Sequence, residues 1–156
     1  TPTHIISDAG HPEGCRLRDY GGFGDPASPK KALLIETGQH WEYGALAVAR
    51  DYCMRFLLLC DAIDADQVPN GWLQPLPQQQ MVIEVTAPVV ASGPDFRFAG
   101  KYTGLEKFAE AGSLIGWDQG VPVHTPYANC VLVMPSLRQV RPGVTVVRFG
   151  REYQSA

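Results

Sequence analysis

Ala32-Leu33-Leu34-Ile35-Glu36-Thr37-Gly38-Gln39-His40 decides how this chain reads. Four apolar residues run into a carboxylate, and a Gly-centred turn follows. The pattern predicts a buried strand over 32–36 that delivers Glu36 to its C-terminal end. Open α/β sheets keep their active sites at that end of their strands. After the turn, Ala45, Val48, Ala49, Tyr52, Cys53, Phe56, Leu57 and Cys60 recur at helical spacing, which predicts a helix over 41–63. A carboxylate so placed is a candidate general base. The competing reading is a carboxylate that caps the helix or faces water, because strand-end acids are common and few are active-site groups.

Upstream of this segment, residues 3–8 read as a short strand. Residues 9–31 hold Gly10, Pro12, Gly14, Gly21, Gly22, Gly24, Pro26 and Pro29, which predicts a long loop of the kind that carries function. Downstream, residues 67–80 contain Pro69, Asn70, Gly71, Pro75, Pro77 and three glutamines, a linker composition. The period then shortens to two. Met81–Thr86, Val89–Ala91, Leu114–Trp117, Val121–Thr125, Asn129–Met134 and Val144–Phe149 are strand-like runs separated by Gly and Pro. The expected organisation is α/β over 1–66, a linker over 67–80 and a small all-β, barrel- or sandwich-like module over 81–156.

Composition narrows the function classes. With 156 residues and 45% hydrophobic content the chain can bury a core. Its net charge of −3 is mixed along the sequence, so no basic stripe points to nucleic acid and no polybasic segment to a membrane surface. No apolar run approaches the roughly 20 residues of a membrane span. The opening Thr-Pro-Thr carries no leader pattern, and the sequence reads as a piece of a longer protein. Cys15, Cys53, Cys60 and Cys130 form no CxxC pair, and the expectation is buried thiols in a reducing cytoplasm.

In the loop Cys15-Arg16-Leu17-Arg18-Asp19-Tyr20-Gly21-Gly22-Phe23-Gly24, two arginines and a tyrosine among glycines could clamp a carboxylate. A solvated turn with an Arg–Asp pair is the competing reading. The glycines match no phosphate-binding loop. His4, His11, His40 and His124 form no HxxH, HExxH or HxxE, so the chain has no recognisable metal site of its own. His40 follows Glu36 by four residues and is a candidate substrate group, or a histidine hydrogen-bonded at a helix start.

At these residues the chain resembles a known family. Leu34-Ile35-Glu36-Thr37-Gly38-Gln39-His40 followed by a helix is similar to the catalytic-Glu segment of the succinylglutamate desuccinylase/aspartoacylase family, a branch of the zinc carboxypeptidase fold. Arg18-Asp19-Tyr20-Gly21-Gly22-Phe23-Gly24-Asp25-Pro26 fits the same group. So does the tail from Thr125-Pro126-Tyr127-Ala128-Asn129-Cys130 through Val133-Met134-Pro135-Ser136 to Val146-Val147-Arg148-Phe149-Gly150-Arg151. The resemblance implies one zinc, held by a His-x-x-Glu pair and a distant His in the N-terminal half. It also implies Glu36 as general base on the amide bond of a small N-acyl amino acid. Arg16, Arg18, Tyr20 and His40 become candidate substrate contacts, the arginines by their chemistry and location.

The departure from the family is equally plain: the zinc ligands are absent from this sequence. The expectation is therefore a C-terminal half of a cytoplasmic zinc-dependent deacylase. It comprises a partial carboxypeptidase-like α/β sheet segment followed by the all-β module, and it is inactive alone. Unpaired sheet edges would promote association into a homo-oligomer. The rival reading makes 81–150 a lipoyl- or biotinyl-like half-barrel with a binding role. A carrier of that type needs a modifiable lysine on a hairpin tip, and Lys101 and Lys107 stand in no such pattern.

Overall fold

The computed structural model describes residues 16–25, 27–38, 42–76 and 80–153, together with the backbone of 3–7. The chain divides into two compact units. One comprises Thr1–Asp8 with Gln78–Ala156, the other Ala9–Pro77. The first strand thus groups with the β-rich part of the chain rather than with residues 9–66.

In the β-rich unit, strand β1 (Thr3–Ser7) runs parallel to β2 (Met81–Val90), with Thr3 opposite Met81 and Ser7 opposite Val85. β2 pairs antiparallel with β8 (Thr145–Glu152), β8 with β7 (Cys130–Val133) and β7 with the short β4 (Lys107–Phe108). The resulting five-stranded sheet has the order β1-β2-β8-β7-β4. A second, antiparallel sheet has the order β3-β5-β6, from Phe96–Phe98, Leu114–Asp118 and Val121–His124. Phe96 and Ile115 of the smaller sheet bury against Cys130, Leu132, Val147 and Phe149 of the larger one. An edge-to-face aromatic series, Phe96–Phe98–Tyr102–Phe108, extends this core with centroid spacings of 5.2, 5.4 and 5.7 Å.

The larger sheet is apolar on both faces, and one bulge makes that possible. Ile83 and Val85 pack with Val131 and Val133, while Ala87, Val89 and Ala91 join the core between the sheets. All five are odd-numbered, so an unbroken strand running on to Ala91 would place them on one face. The register slips between Val85 (opposite Gly150) and Ala87 (opposite Phe149), so Thr86 is an extra residue. Its hydroxyl donates to the Phe149 carbonyl at 3.2 Å. At Gly150 a Cβ would lie 2.5 Å from Ile83 Cγ2, so the strands meet there only because the side chain is missing. Pro88 lies past the stretch that β1 covers, which leaves its missing N–H without cost to that ladder.

In the other unit, helix α1 spans Tyr43–Leu59, within the expected 41–63. It ends in a Schellman motif built on a non-glycine residue. Asp61 takes φ 53°, the Ala62 N–H donates to Leu57 O at 3.0 Å, and the Asp61 N–H donates to Leu58 O at 3.1 Å. The residues read as the start of a linker are fastened to this helix. The Gln74 N–H donates to Asp51 Oδ1 at 2.8 Å, Arg55 Nη2 donates to Gln74 O at 2.6 Å, and Arg50 stacks on Trp72 at 5.0 Å.

The strand expected over 32–36 does not form. Residues 31–38 carry no regular secondary structure, and Leu33 and Leu34 are 51% and 47% exposed. A strand needs a neighbour to bond to. The β1 strand that could have served pairs with β2 instead. The expectation of buried thiols is corrected at two positions: Cys53, on α1, and Cys60, its C-cap, are exposed, while Cys130 is buried and Cys15 lies outside the described residues. Among the described residues no helix is long and apolar enough to cross a membrane.

Candidate functional site

Glu36 closes the apolar run and is exposed. Two residues on, Gly38 adopts φ 113°, a backbone conformation that a side chain would strain, and a Cβ there would meet Glu42 Oε2 at 3.3 Å. The next described residue after Gly38 is Glu42, the N-cap of α1. Glu36 thus stands on irregular backbone rather than at the end of a strand. Gln39 and His40 lie outside the described residues, so His40 is not placed.

The arginine loop forms a 3-10 turn, Leu17–Asp19, followed by further tight turns. Both arginines address one carboxylate: Arg16 Nε stands 3.9 Å from Asp19 Oδ2, and Arg18 Nε 3.5 Å from Asp19 Oδ1. Arg16 Nε is buried and makes no hydrogen bond among the described residues. Tyr20 is exposed. Lys30 closes the loop, donating to the Gly21 carbonyl at 2.7 Å with its ammonium 5.4 Å from the Phe23 ring centroid. No hydrogen bond or ion pair among the described residues joins Glu36 to Arg16, Arg18 or Tyr20.

Behind this loop lies an open cavity of about 370 Å³ that the sequence did not reveal. Phe23, Leu33, Tyr52, Phe56 and Leu59 give it an apolar lining, and Lys30 and Lys31 contribute charge. Arg55 also borders it but is committed to Asp51, with Nε to Oδ1 at 2.9 Å. Burial pushes the Asp51 carboxyl up, yet the Arg55 hydrogen bond, the Gln74 N–H and the Arg55 charge together hold it below its ordinary value. The Asp51/Arg55 spacing of four was legible as a helix-surface ion pair; its hold on Gln74 was not.

The β-rich unit has its own polar cluster. The Tyr127 hydroxyl shares a 2.5 Å hydrogen bond with Thr86, and the Arg151 guanidinium sits 4.1 Å from the Tyr127 ring centroid. Burial raises the Tyr127 phenol above its ordinary value against the opposing pull of Thr86 and Arg151, and burial likewise raises the Cys130 thiol. Lys107 lies in β4, paired with Glu152 at 3.0 Å. No three of His, Cys, Asp and Glu among the described residues are placed to hold a metal ion.

The chain is similar to the solved structure of succinylglutamate desuccinylase from Vibrio parahaemolyticus. The identity is 16% and the TM-score 0.56, over 97% of this chain and 41% of that one. It is also similar to succinylglutamate desuccinylase from Vibrio cholerae, with 18% identity, a TM-score of 0.55, and coverage of 95% and 40%. At these identities the likeness is one of fold, and the chain spans about two fifths of the length of these structures. No family model matches the chain, and no curated protein matches it.

Proposed function

We propose that these residues form the C-terminal part of a zinc-dependent deacylase that hydrolyses the amide bond of a small N-acyl amino acid, with Glu36 as general base. The observation that carries this reading is the fold likeness to desuccinylases over 97% of the chain. An exposed carboxylate can take a proton from the water that attacks the amide carbon. It can then return that proton to the nitrogen as the C–N bond breaks, leaving a carboxylic acid and an amine.

The described residues do not fit a zinc site, so no step here runs through the metal. Its ligands belong, on this reading, to the three fifths of the fold that these residues do not span. Arg16 and Arg18 set two positive charges against the single negative of Asp19, and the surplus suits a substrate carboxylate. Tyr20 and His40 are proposed as further substrate contacts.

The test uses a desuccinylase-length polypeptide containing this chain, loaded with zinc and given a panel of N-acyl amino acids, beside its Glu36→Gln variant. The expected result is turnover by the parent and a loss of about 10²–10⁴-fold in kcat in a variant that still folds and binds zinc. Equal activity makes Glu36 structural and overturns the assignment. The 156-residue chain alone is expected to be inactive, and reproducible zinc-dependent turnover by it refutes that expectation.

A further inference from the structure

In the β-rich unit one carboxylate gathers the loop between β3 and β4. Glu106 Oε1 accepts the Thr103 N–H at 2.6 Å and the Thr103 hydroxyl at 3.1 Å. The Gly104 N–H reaches both carboxylate oxygens, at 3.1 and 3.0 Å. Successive N–H groups turned toward one point form a concavity that binds an anion. Here the chain fills that concavity with its own side chain, two and three residues further on.

The bonds offset strain in the loop. Gly104 takes φ 113° and Leu105 takes φ 71°. A leucine in the left-handed region costs energy, and Leu105 is exposed, so burial does not repay it. The loop also joins two parts of the core. Tyr102, directly before the bonded pair, stands edge-on to Phe98 at 5.4 Å and to Phe108 at 5.7 Å. At the other end, the Leu105 N–H donates to Leu132 O at 2.7 Å and the Leu132 N–H to Glu106 O at 3.0 Å.

Among the described residues no cation is paired with Glu106. Lys107, next in the chain, is committed to Glu152, and Arg97 of β3 lies over the Trp117 ring. β7 brings only the Cys130 thiol, which burial raises. The ionisable neighbour is Tyr102, whose phenol is raised by burial and by the Glu106 charge. The closed loop therefore depends on the charge of a single carboxylate.

We infer that residues 102–106 are a carboxylate-gated strap, closed on the aromatic end of the core while Glu106 is ionised and released when that charge is removed. Protonation turns one carboxylate oxygen into a donor, which no longer accepts the loop N–H groups. Burial pushes the Glu106 carboxyl up, but the N–H groups of Thr103, Glu106 and Gly104 and the Thr103 hydroxyl together hold it below its ordinary value of 4.5. Closure is thus complete above that pH and is lost as pH falls through the lowered folded value.

The test is an NMR titration of the 156-residue chain from neutral pH into acid, with the amides of β7 and β8 as the standard of folding. The Thr103 and Gly104 amide protons are expected to move together, with one apparent pKa below 4.5. Over the same range the Tyr102 ring is expected to lose its contacts with Phe98 and Phe108, and protection of the Leu105 amide to fall about tenfold or more. The signals of β7 and β8 stay. Glu106→Gln, which keeps the shape without the charge, is expected to be open at neutral pH with no titration at these amides. The inference is overturned if the Tyr102 contacts survive protonation of Glu106, or if they are lost only together with β7 and β8. It is also overturned if the Gln variant is closed at neutral pH. Should that variant fail to fold, the titration of the unaltered chain decides alone.

Discussion

Residues 78–156 bury Ile83, Ile115, Cys130, Leu132, Val146 and Val147 completely, whereas the described part of 9–77 buries one residue, the charged Asp51. The two units do not differ in this way for lack of apolar sequence, since α1 is among the most apolar stretches of the chain. They differ in layers. Two sheets enclose a core between them, but among the described residues of 9–77 the one α-helix has no second layer to close against. The β-rich unit is therefore stabilised by burial, and the helical one by local fastenings: the Schellman end, the Asp51–Arg55–Gln74 bonds and the Lys30 closure.

Substitutions can break this contrast, beginning with the largest effect. Leu132→Ala, in the core between the sheets, is expected to cost about 3 kcal/mol in denaturant unfolding of the β-rich unit. A cost below about 1 kcal/mol would mean that the two sheets are loosely packed and that the contrast is overstated. Asp51→Asn leaves Arg55 with a weakened partner. Because Arg55 is half-buried, the expected loss is smaller, about 1 kcal/mol. It should be confined to the helical unit, read as faster proteolysis at 72–76 with the β-rich transition unmoved.

Acid sharpens the same point without a mutation. Asp51 is held below its ordinary value of 3.8 in the folded chain. Its contribution is thus complete above that pH and is lost as pH falls through the lowered folded value. Trp72 fluorescence, in a background where Trp41 and Trp117 are phenylalanine, is expected to change in that acid range. No change there would show that Asp51 does not hold the 72–76 segment. The smallest effect belongs to Tyr43→Ala, whose side chain is 97% exposed. It should alter the stability of this chain by no more than about 0.5 kcal/mol, and a larger loss would reveal packing on α1 that the structure does not show.

Legibility in the sequence followed the same division. Where residues meet partners within the chain, periodicity reported the structure: β5, β6, β7 and β8 fall on the alternating runs, and α1 on the helical one. Phe96-Arg97-Phe98 and Lys107-Phe108 escaped notice because two or three residues show no period. They are strands only by virtue of pairing with β5 and β7. Ala32–Ile35 failed in the opposite sense, being strand sequence without a strand partner. The helix stop was misplaced because Asp61, not glycine, takes the left-handed position. In the candidate site, Glu36 and the helix that follows it were visible as a local pattern. The cavity was not, because Phe23, Leu33 and Phe56 come together only through the loop closure at Lys30.

The bulge at Thr86 divides β2 into two mutational neighbourhoods. Ile83 and Val89 lie six residues apart on one continuous backbone, yet each answers to a different set of contacts. Conservative changes at the two positions should therefore have costs that simply add. Deleting Thr86 would close the bulge and leave Val85 and Ala87 on the opposite faces they already occupy, so what it removes is the local kink and the bonds of the Thr86 hydroxyl to Phe149 and Tyr127. In this segment each half of β2 can therefore vary against its own set of partners without disturbing the other.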